Sequence, residues 1–278
     1  MSVLVQPHVA GFLTYTLTSG QDVLVISAFG GQIPSWTKQG VPILFANASH
    51  AIVDGKTPYR GGAPVCFPYF GKGTLLPLGT TLNPQHGNAR TSIWDVRVME
   101  SENAIALRTV QSSGEGYGPT SFECELVYRL SDKLETESTI RNVGQFSAPF
   151  QFAVHAYWAT TEPAQAVVSG LGHRYLDNLL GYTEYVDTQS SEPHVAPVDR
   201  VYCEAADSLE LETNNYKLQI STQGCQGTVL WNPGAVHTLK DLGSPDFICV
   251  ESGVVVPSVN LAPGSEHAVR ISYLATIT

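Results

Sequence analysis

Apolar and polar positions run through this chain in short stretches, several of them alternating with a period of two. Residues 22–29 (DVLVISAF), 104–110 (AIALRTV), 122–130 (FECELVYRL), 134–140 (LETESTI), 150–158 (FQFAVHAYW), 216–221 (YKLQIS), 246–251 (DFICVE) and 268–277 (AVRISYLATI) are rich in β-branched and aromatic side chains. Successive side chains of an extended backbone point to opposite faces, so each stretch predicts a strand with a face to bury. Turn signals punctuate them at Ser19-Gly20, Asn83-Pro84, Gly116-Tyr117-Gly118-Pro119 and Asn232-Pro233-Gly234. Helical periodicity is nearly absent, and its best example is the short segment 173–181, HRYLDNLLG. Many strands without intervening helices predict an all-β sandwich or barrel, not a parallel sheet with crossover helices. Residues 182–200 read as a polar surface excursion, and no repeat or low-complexity linker divides the chain. Residues 1–278 are therefore expected to form one domain.

The segment 150–158 gives the sharpest local expectation. Phe150, Phe152, Val154, Ala156 and Trp158 share one face, while Gln151, Ala153, His155 and Tyr157 share the other. The apolar face belongs between sheets, which turns His155 and Tyr157 toward a cavity or solvent. By pattern alone, a hydrogen-bonded structural imidazole is the commoner reading of a lone histidine. Glu251 ends the apolar run Phe247-Ile248-Cys249-Val250. It is either exposed at a strand end or held in a desolvated pocket, where its pKa would rise.

Composition narrows the function. Hydrophobic residues make up 43% and charged residues 14%, enough to bury a substantial core and to argue against disorder. Fifteen basic against twenty-five acidic residues leave a formal charge of −10, without the basic patch of a nucleic-acid binder. That field also repels anions, which only a local cluster of arginines would overcome. The N-terminus lacks a cationic signal-like region, and no apolar run is long enough for a membrane span. Cys66, Cys124, Cys203, Cys225 and Cys249 are scattered, as expected of free thiols in a cytoplasmic protein. Neither nucleic acid nor membrane is expected as a partner. The oligomeric state is not legible, and a monomer suffices.

The densest concentration of candidate chemistry lies between Arg60 and Arg90. There Arg60-Gly61-Gly62-Ala63-Pro64-Val65-Cys66-Phe67-Pro68-Tyr69-Phe70-Gly71 precedes Gln85-His86-Gly87-Asn88-Ala89-Arg90. Paired glycines permit close backbone approach, prolines stiffen the aromatic segment, and arginines, glutamine and histidine flank it. Such a setting suits a hydroxylated or anionic small molecule. With His155-Ala156-Tyr157-Trp158, Asp199-Arg200-Val201-Tyr202, Trp231-Asn232-Pro233-Gly234, Cys249-Val250-Glu251-Ser252 and Pro263-Gly264, these motifs cover most of the chain in order. Together they resemble the glucose-6-phosphate 1-epimerases, the hexose-6-phosphate mutarotases of the aldose 1-epimerase superfamily.

That resemblance implies a large antiparallel β-supersandwich like that of galactose mutarotase, and interconversion of the α and β anomers of a hexose 6-phosphate. It places His155 on the family's catalytic histidine and Glu251 on its catalytic base, converging on opposite sides of one hemiacetal carbon. Protonated His155 would donate to the ring oxygen O5 while Glu251 takes the O1 proton. No cofactor or metal is needed for that chemistry. Arg60, Gln85, Arg90 and Asp199 become the substrate clamps, Asp199 being the least secure because a solvated aspartate competes. His86 either bonds the sugar beside His155 or buttresses the arginine loop. Asn88 stands where the family usually has phenylalanine, which puts the shape of that wall in question. Lys72 is an exposed lysine near the phosphate side, and Asp177 reads as structural. The remaining histidines show no metal-ligand spacing. Three alternatives stay open: an epimerase of unphosphorylated aldoses, a non-catalytic sugar-binding protein, and a glycosidase or lyase pairing Asp199 with Glu251.

Overall fold

The computed structural model describes residues 2–47, 55–112, 120–186, 196–234 and 246–278. Its strands form three antiparallel sheets. The first is a five-stranded meander of Ser2–Pro7, Leu13–Ser19, Asp22–Ser27, Ser35–Lys38 and Val41–Pro42. The second sheet has Glu266–Ile277 and Leu134–Asn142 at its centre, joined in register from Leu134↔Tyr273 to Arg141↔Glu266. The third carries Val198–Tyr202, Gly227–Asn232, Phe247–Leu261, Ala148–Val154 and Val65–Cys66 in that lateral order. The all-β expectation is met.

Alternation in the third sheet decides where chemistry can occur. Val198, Tyr202, Leu230, Ile248, Val250 and Val254 enter a large apolar cluster with Leu126, Tyr128 and Ile271 of the second sheet and Leu24 and Trp36 of the first. The interleaved Asp199, Val201, Val229, Trp231 and Glu251 face the other way, into a cavity. One face thus holds the sheets together, each fully buried large apolar side chain stabilising by about 1.5–3 kcal/mol. The opposite face is free to be polar.

The stretch read as one strand over 150–158 is two, Ala148–Val154 and Tyr157–Ala159, interrupted at His155 and Ala156. The amide of Ala156 donates to the carbonyl of Val154, which kinks the chain there. Phe150, Phe152, Val154, Ala156 and Trp158 nevertheless all join the apolar cluster, as the pattern required. The other face is less open than expected. Gln151 is fully buried, its amide donating to the Val255 carbonyl and accepting from the Phe70 amide.

Three further expectations are corrected or bounded. The helix-like segment 173–181 is the strand Arg174–Asp177 followed by one 3-10 turn, Asn178–Leu180. Asp177 caps that turn by accepting the Leu179 amide, and Gly181, in the left-handed region, ends it at once. The polar excursion 182–200 contains the strands Thr183–Val186 and Val198–Tyr202, while 187–195 lies outside the described residues. The turn expected at Gly116–Pro119 lies outside them as well.

Candidate active site

The cavity measures about 360 Å³ and gathers every site residue expected from sequence: Arg60, Gln85, His86, Arg90, His155, Asp199 and Glu251. Pairing explains the convergence. His155 follows the strand that pairs with Val65–Cys66, and its amide donates to the Pro64 carbonyl, which ties it to the Arg60 segment. Glu251 stands opposite Val229, itself opposite Val201, with Trp231 and Asp199 one step along the same face. Gly62 and Gly87 allow the Arg60–Arg90 segment to lie close. A Cβ on Gly62 would sit 2.1 Å from the Ile33 carbonyl oxygen, and one on Gly87 would sit 2.1 Å from that of Phe67.

His155 Nδ1 lies 3.4 Å from Glu251 Oε1, with the residues 8% and 1% exposed. They stand side by side on the cavity floor rather than facing each other across it. Neither carboxylate oxygen has a hydrogen-bond partner, nor has Nδ1, so three buried polar atoms lack partners within the protein. Buried polar groups are normally satisfied, and clustered exceptions point to a ligand. The imidazole stacks on Tyr157 at 4.7 Å between centroids and meets Trp231 edge-on at 5.7 Å. Burial, then the charge of Asp199, pushes the Glu251 carboxyl well above its usual range. Burial, with Arg90 and Arg60, holds the His155 imidazole down to about 3. Both shifts favour the uncharged members of the pair, a neutral imidazole and a protonated carboxyl.

Arg90 Nη2 donates to the Gln85 carbonyl at 2.5 Å, while its buried Nε has no partner. Among the described residues, no carboxylate lies within ion-pair distance of Arg60 or Arg90. The His86 ring lines the cavity, and its Nδ1 accepts the Gly71 amide at 3.1 Å, which ties it to the Arg60–Gly71 segment. A neutral ring accepting at Nδ1 carries its hydrogen on Nε2, beside the Gln85 amide at 3.2 Å. Burial, then His155, Arg90 and Arg60, keeps that ring neutral. Asp199 is not a solvated aspartate: it accepts from Asn178 Nδ2 at 2.7 Å, and burial raises its pKa.

Asn88 is not among the residues that line the cavity. Its carbonyl instead accepts from Thr91 and Ser92. Sequence reasoning missed Asn178, Tyr182 and Thr74, which do line it, and Trp231 and Tyr157, whose motifs were noticed without a role. Lys72 is exposed at the rim, as expected, but also borders the cavity. Alternation along Gly227–Asn232 would have found Trp231, two positions from Val229. Nothing local marks Asn178, which reaches the site only because a 3-10 turn follows its strand.

A carboxyl–imidazole pair on the polar face of an antiparallel sheet, flanked by arginines, defines a mutarotase-like sandwich. Solved structures share this shape. A crystal structure provisionally described as a mutarotase, from Salmonella typhimurium, superposes with a TM-score of 0.81 at 21% identity, covering 99% of this chain and 97% of that one. Galactose 1-epimerase from Lactobacillus acidophilus gives 0.77 at 14% identity, covering 99% and 98%. The chain belongs to the aldose 1-epimerase family, whose profile matches residues 13–274, and it is accordingly an isomerase. Among curated relatives, a protein of Cenchrus ciliaris provisionally named glucose-6-phosphate 1-epimerase is 28% identical over 272 residues, 90% of this chain and 80% of its own. A similarly named protein of Escherichia coli K12 is 27% identical over 234 residues, 80% of this chain and 76% of its own. The resemblance seen in the motifs is borne out.

Proposed function

We propose that the protein interconverts the α and β anomers of a hexose 6-phosphate, with glucose 6-phosphate as the reference substrate. One observation carries the reading: two arginines without carboxylate partners share a cavity with His155 and Glu251, whose reactive atoms lie 3.4 Å apart. A phosphate dianion would supply the missing counter-charge, with Arg60 and Arg90 as forked donors and Lys72 at the rim. Asp199 and Gln85 would select hydroxyl orientation, and Trp231 would offer its face to the sugar ring. The names of the curated relatives support the same substrate.

Mutarotation removes the proton from the C1 hydroxyl and delivers one to ring oxygen O5. The C1–O5 bond breaks, the resulting aldehyde turns about C1–C2, and attack on the other carbonyl face closes the ring. O1 and O5 are bonded to the same carbon, so two adjacent protein groups can serve them better than two facing ones. A pair that holds one proton between its members is sufficient, because roles reverse on closure. Burial raises the Glu251 carboxyl and lowers the His155 imidazole, which favours that proton on Glu251. Phosphate against Arg60 and Arg90 would cancel the cationic field that helps keep His155 neutral, and would favour passage of the proton from Oε1 to Nδ1. The loaded pair is then imidazolium and carboxylate, with Glu251 as the base and His155 as the acid.

The test compares anomerisation of glucose 6-phosphate and of glucose, each against its spontaneous rate, by polarimetry or NMR. Much greater acceleration of the phosphate ester is expected. Equal acceleration of both would transfer the reading to an epimerase of unphosphorylated aldoses, and release of reducing sugar from a glycoside would transfer it to hydrolysis.

A further inference from the structure

On the strand Phe247–Leu261, Cys249 precedes Glu251 by two positions and so shares its face. It pairs laterally with Tyr157 on one side and Trp231 on the other, beneath the aromatic floor of the cavity. It does not line the cavity itself. Its Sγ, a nitrogen of His155 and a carboxylate oxygen of Glu251 all lie within 4.8 Å of one another, and all three residues are buried. His155 Nδ1 and Glu251 Oε1 and Oε2 are buried without a hydrogen-bond partner.

We propose that this triad is a binding site for a borderline-soft divalent cation of the zinc type, and that its occupation blocks the acid–base pair. Binding stands independently of the mutarotase reading, whereas inhibition rests on it. The donor set argues for zinc: thiolate and imidazole select it over magnesium or calcium, which take oxygen ligands. Tetrahedral zinc with bonds of about 2.0–2.3 Å spaces its ligands roughly 3.3–3.6 Å apart. The observed 3.4 Å between Nδ1 and Oε1 already has that spacing. The sulfur's distances, up to 4.8 Å, would have to close by roughly 1–1.5 Å, and His155 and Glu251 border the cavity, from which a fourth ligand could come, as in zinc sites with three protein ligands. Arg60 and Arg90 oppose a cation here, but a thiolate and a carboxylate together neutralise its two charges. The thiol and carboxyl protons leave to solvent on binding. Spacing rules for zinc motifs miss this set because the histidine lies far away in the chain, in the break between Ala148–Val154 and Tyr157–Ala159.

Cobalt(II) serves as the spectroscopic probe. Titration of metal-free protein should give one cobalt per chain and a near-ultraviolet sulfur-to-cobalt charge-transfer band, abolished by stoichiometric zinc. Cys249→Ser should remove the band and weaken zinc binding by at least about 100-fold, more than loss of an outer-shell partner costs. The same variant should keep its anomerase activity and lose its sensitivity to zinc. Absence of the band in the wild type, or its persistence in Cys249→Ser with loss only in Cys203→Ser, overturns the proposal. If Cys249→Ser fails to fold, Glu251→Gln and His155→Ala must each weaken cobalt binding tenfold or more, and unchanged binding in both overturns it equally. A band without any anomerase activity leaves the metal site standing and refutes the mutarotase reading. Activity without a band does the reverse.

Discussion

Two sheets of this protein treat arginine in opposite ways. On the second sheet Arg270 grips Glu137 at 2.8 Å, Arg129 bridges Glu102 and Glu137 at 3.2 and 3.3 Å, and Arg141 meets Glu266 at 2.7 Å. These pairs are largely exposed, and each contributes little, about 0–1 kcal/mol. Beside the third sheet, Arg60 and Arg90 border a cavity without a carboxylate partner, and a carboxyl and an imidazole on its floor are buried and unbonded. Leaving buried polar groups unpaired costs about 1–3 kcal/mol apiece. Single buried atoms without a partner also occur at Gln32, Trp36 and Asn103, but among the described residues such atoms cluster only at this cavity, where a substrate would relieve the cost. Paired charge decorates a surface; unpaired buried charge awaits a ligand.

The contrast breaks first at the acid–base pair. Glu251→Gln and His155→Ala are each expected to lower kcat by about 10²–10⁴-fold, with the double variant little worse than the poorer single one. Fully active, folded single variants would move the chemistry elsewhere. Next come the unpaired cations. Arg90→Ala should lower kcat/KM for glucose 6-phosphate by about 10–100-fold, as expected of a lost charge-assisted hydrogen bond worth about 1.5–3 kcal/mol, and Arg60→Ala should do likewise. The same substitutions should hardly alter the rate with glucose. An equal loss with both sugars would deny the arginines a phosphate role.

Asn178→Ala should have a smaller effect, raising KM by about 5–10-fold with kcat nearly unchanged. Asn178 holds the Asp199 carboxylate through a 2.7 Å bond, and a hydrogen bond of this kind is worth about 1 kcal/mol. Asn178→Asp should be worse than Asn178→Ala, because a third carboxylate would crowd Asp199 and Asp177. A fall in kcat instead of a rise in KM would put Asp199 in the chemistry.

How far the sequence could be read follows the same division. Period-two alternation identified the strands that build the core, because Phe150, Phe152, Val154 and Trp158 obey one physical demand, burial on a common face. Alternation also turned His155 and Tyr157 the right way, yet it could not show the kink at Ala156 or the covering of Gln151. The kink rests on the Ala156 amide turning back to Val154 while His155 bonds Pro64, and the covering rests on bonds from Gln151 to Pro68 and Val255, remote in the chain. That seven candidate residues meet in one cavity was legible only through motifs. Nothing in the run Phe247-Ile248-Cys249-Val250 says whether the next carboxylate is solvated, since pairing with Gly227–Asn232 decides it. Asn178 was illegible for a related reason: HRYLDNLLG has a helical look, and only the Asp177 cap and Gly181 reduce it to a single turn. The lowered pKa of His155 was not legible because its cause, burial beside two arginines without carboxylate partners, is a property of the assembled cavity.

The smallest expected effect tests the other half of the contrast. Hydrogen bonding to Arg270, assisted by Arg129, holds the Glu137 carboxyl below its usual range. A depressed folded-state pKa contributes stability above the unfolded-state value, about 4.3, and loses it as pH falls through the lower folded value. Glu137→Gln should therefore destabilise the protein by less than about 1 kcal/mol at neutral pH, solvent screening keeping the figure small. The difference in melting temperature from the wild type should shrink toward zero as the solution is acidified below the carboxylate range. Anomerase activity and zinc binding should be untouched, because neither arginine of this network borders the cavity. A change in activity here as large as that of Arg90→Ala would dissolve the distinction between the two sheets. A variant that loses only its acid-dependent stability would show that the paired arginines serve the surface while Arg60 and Arg90 serve the site.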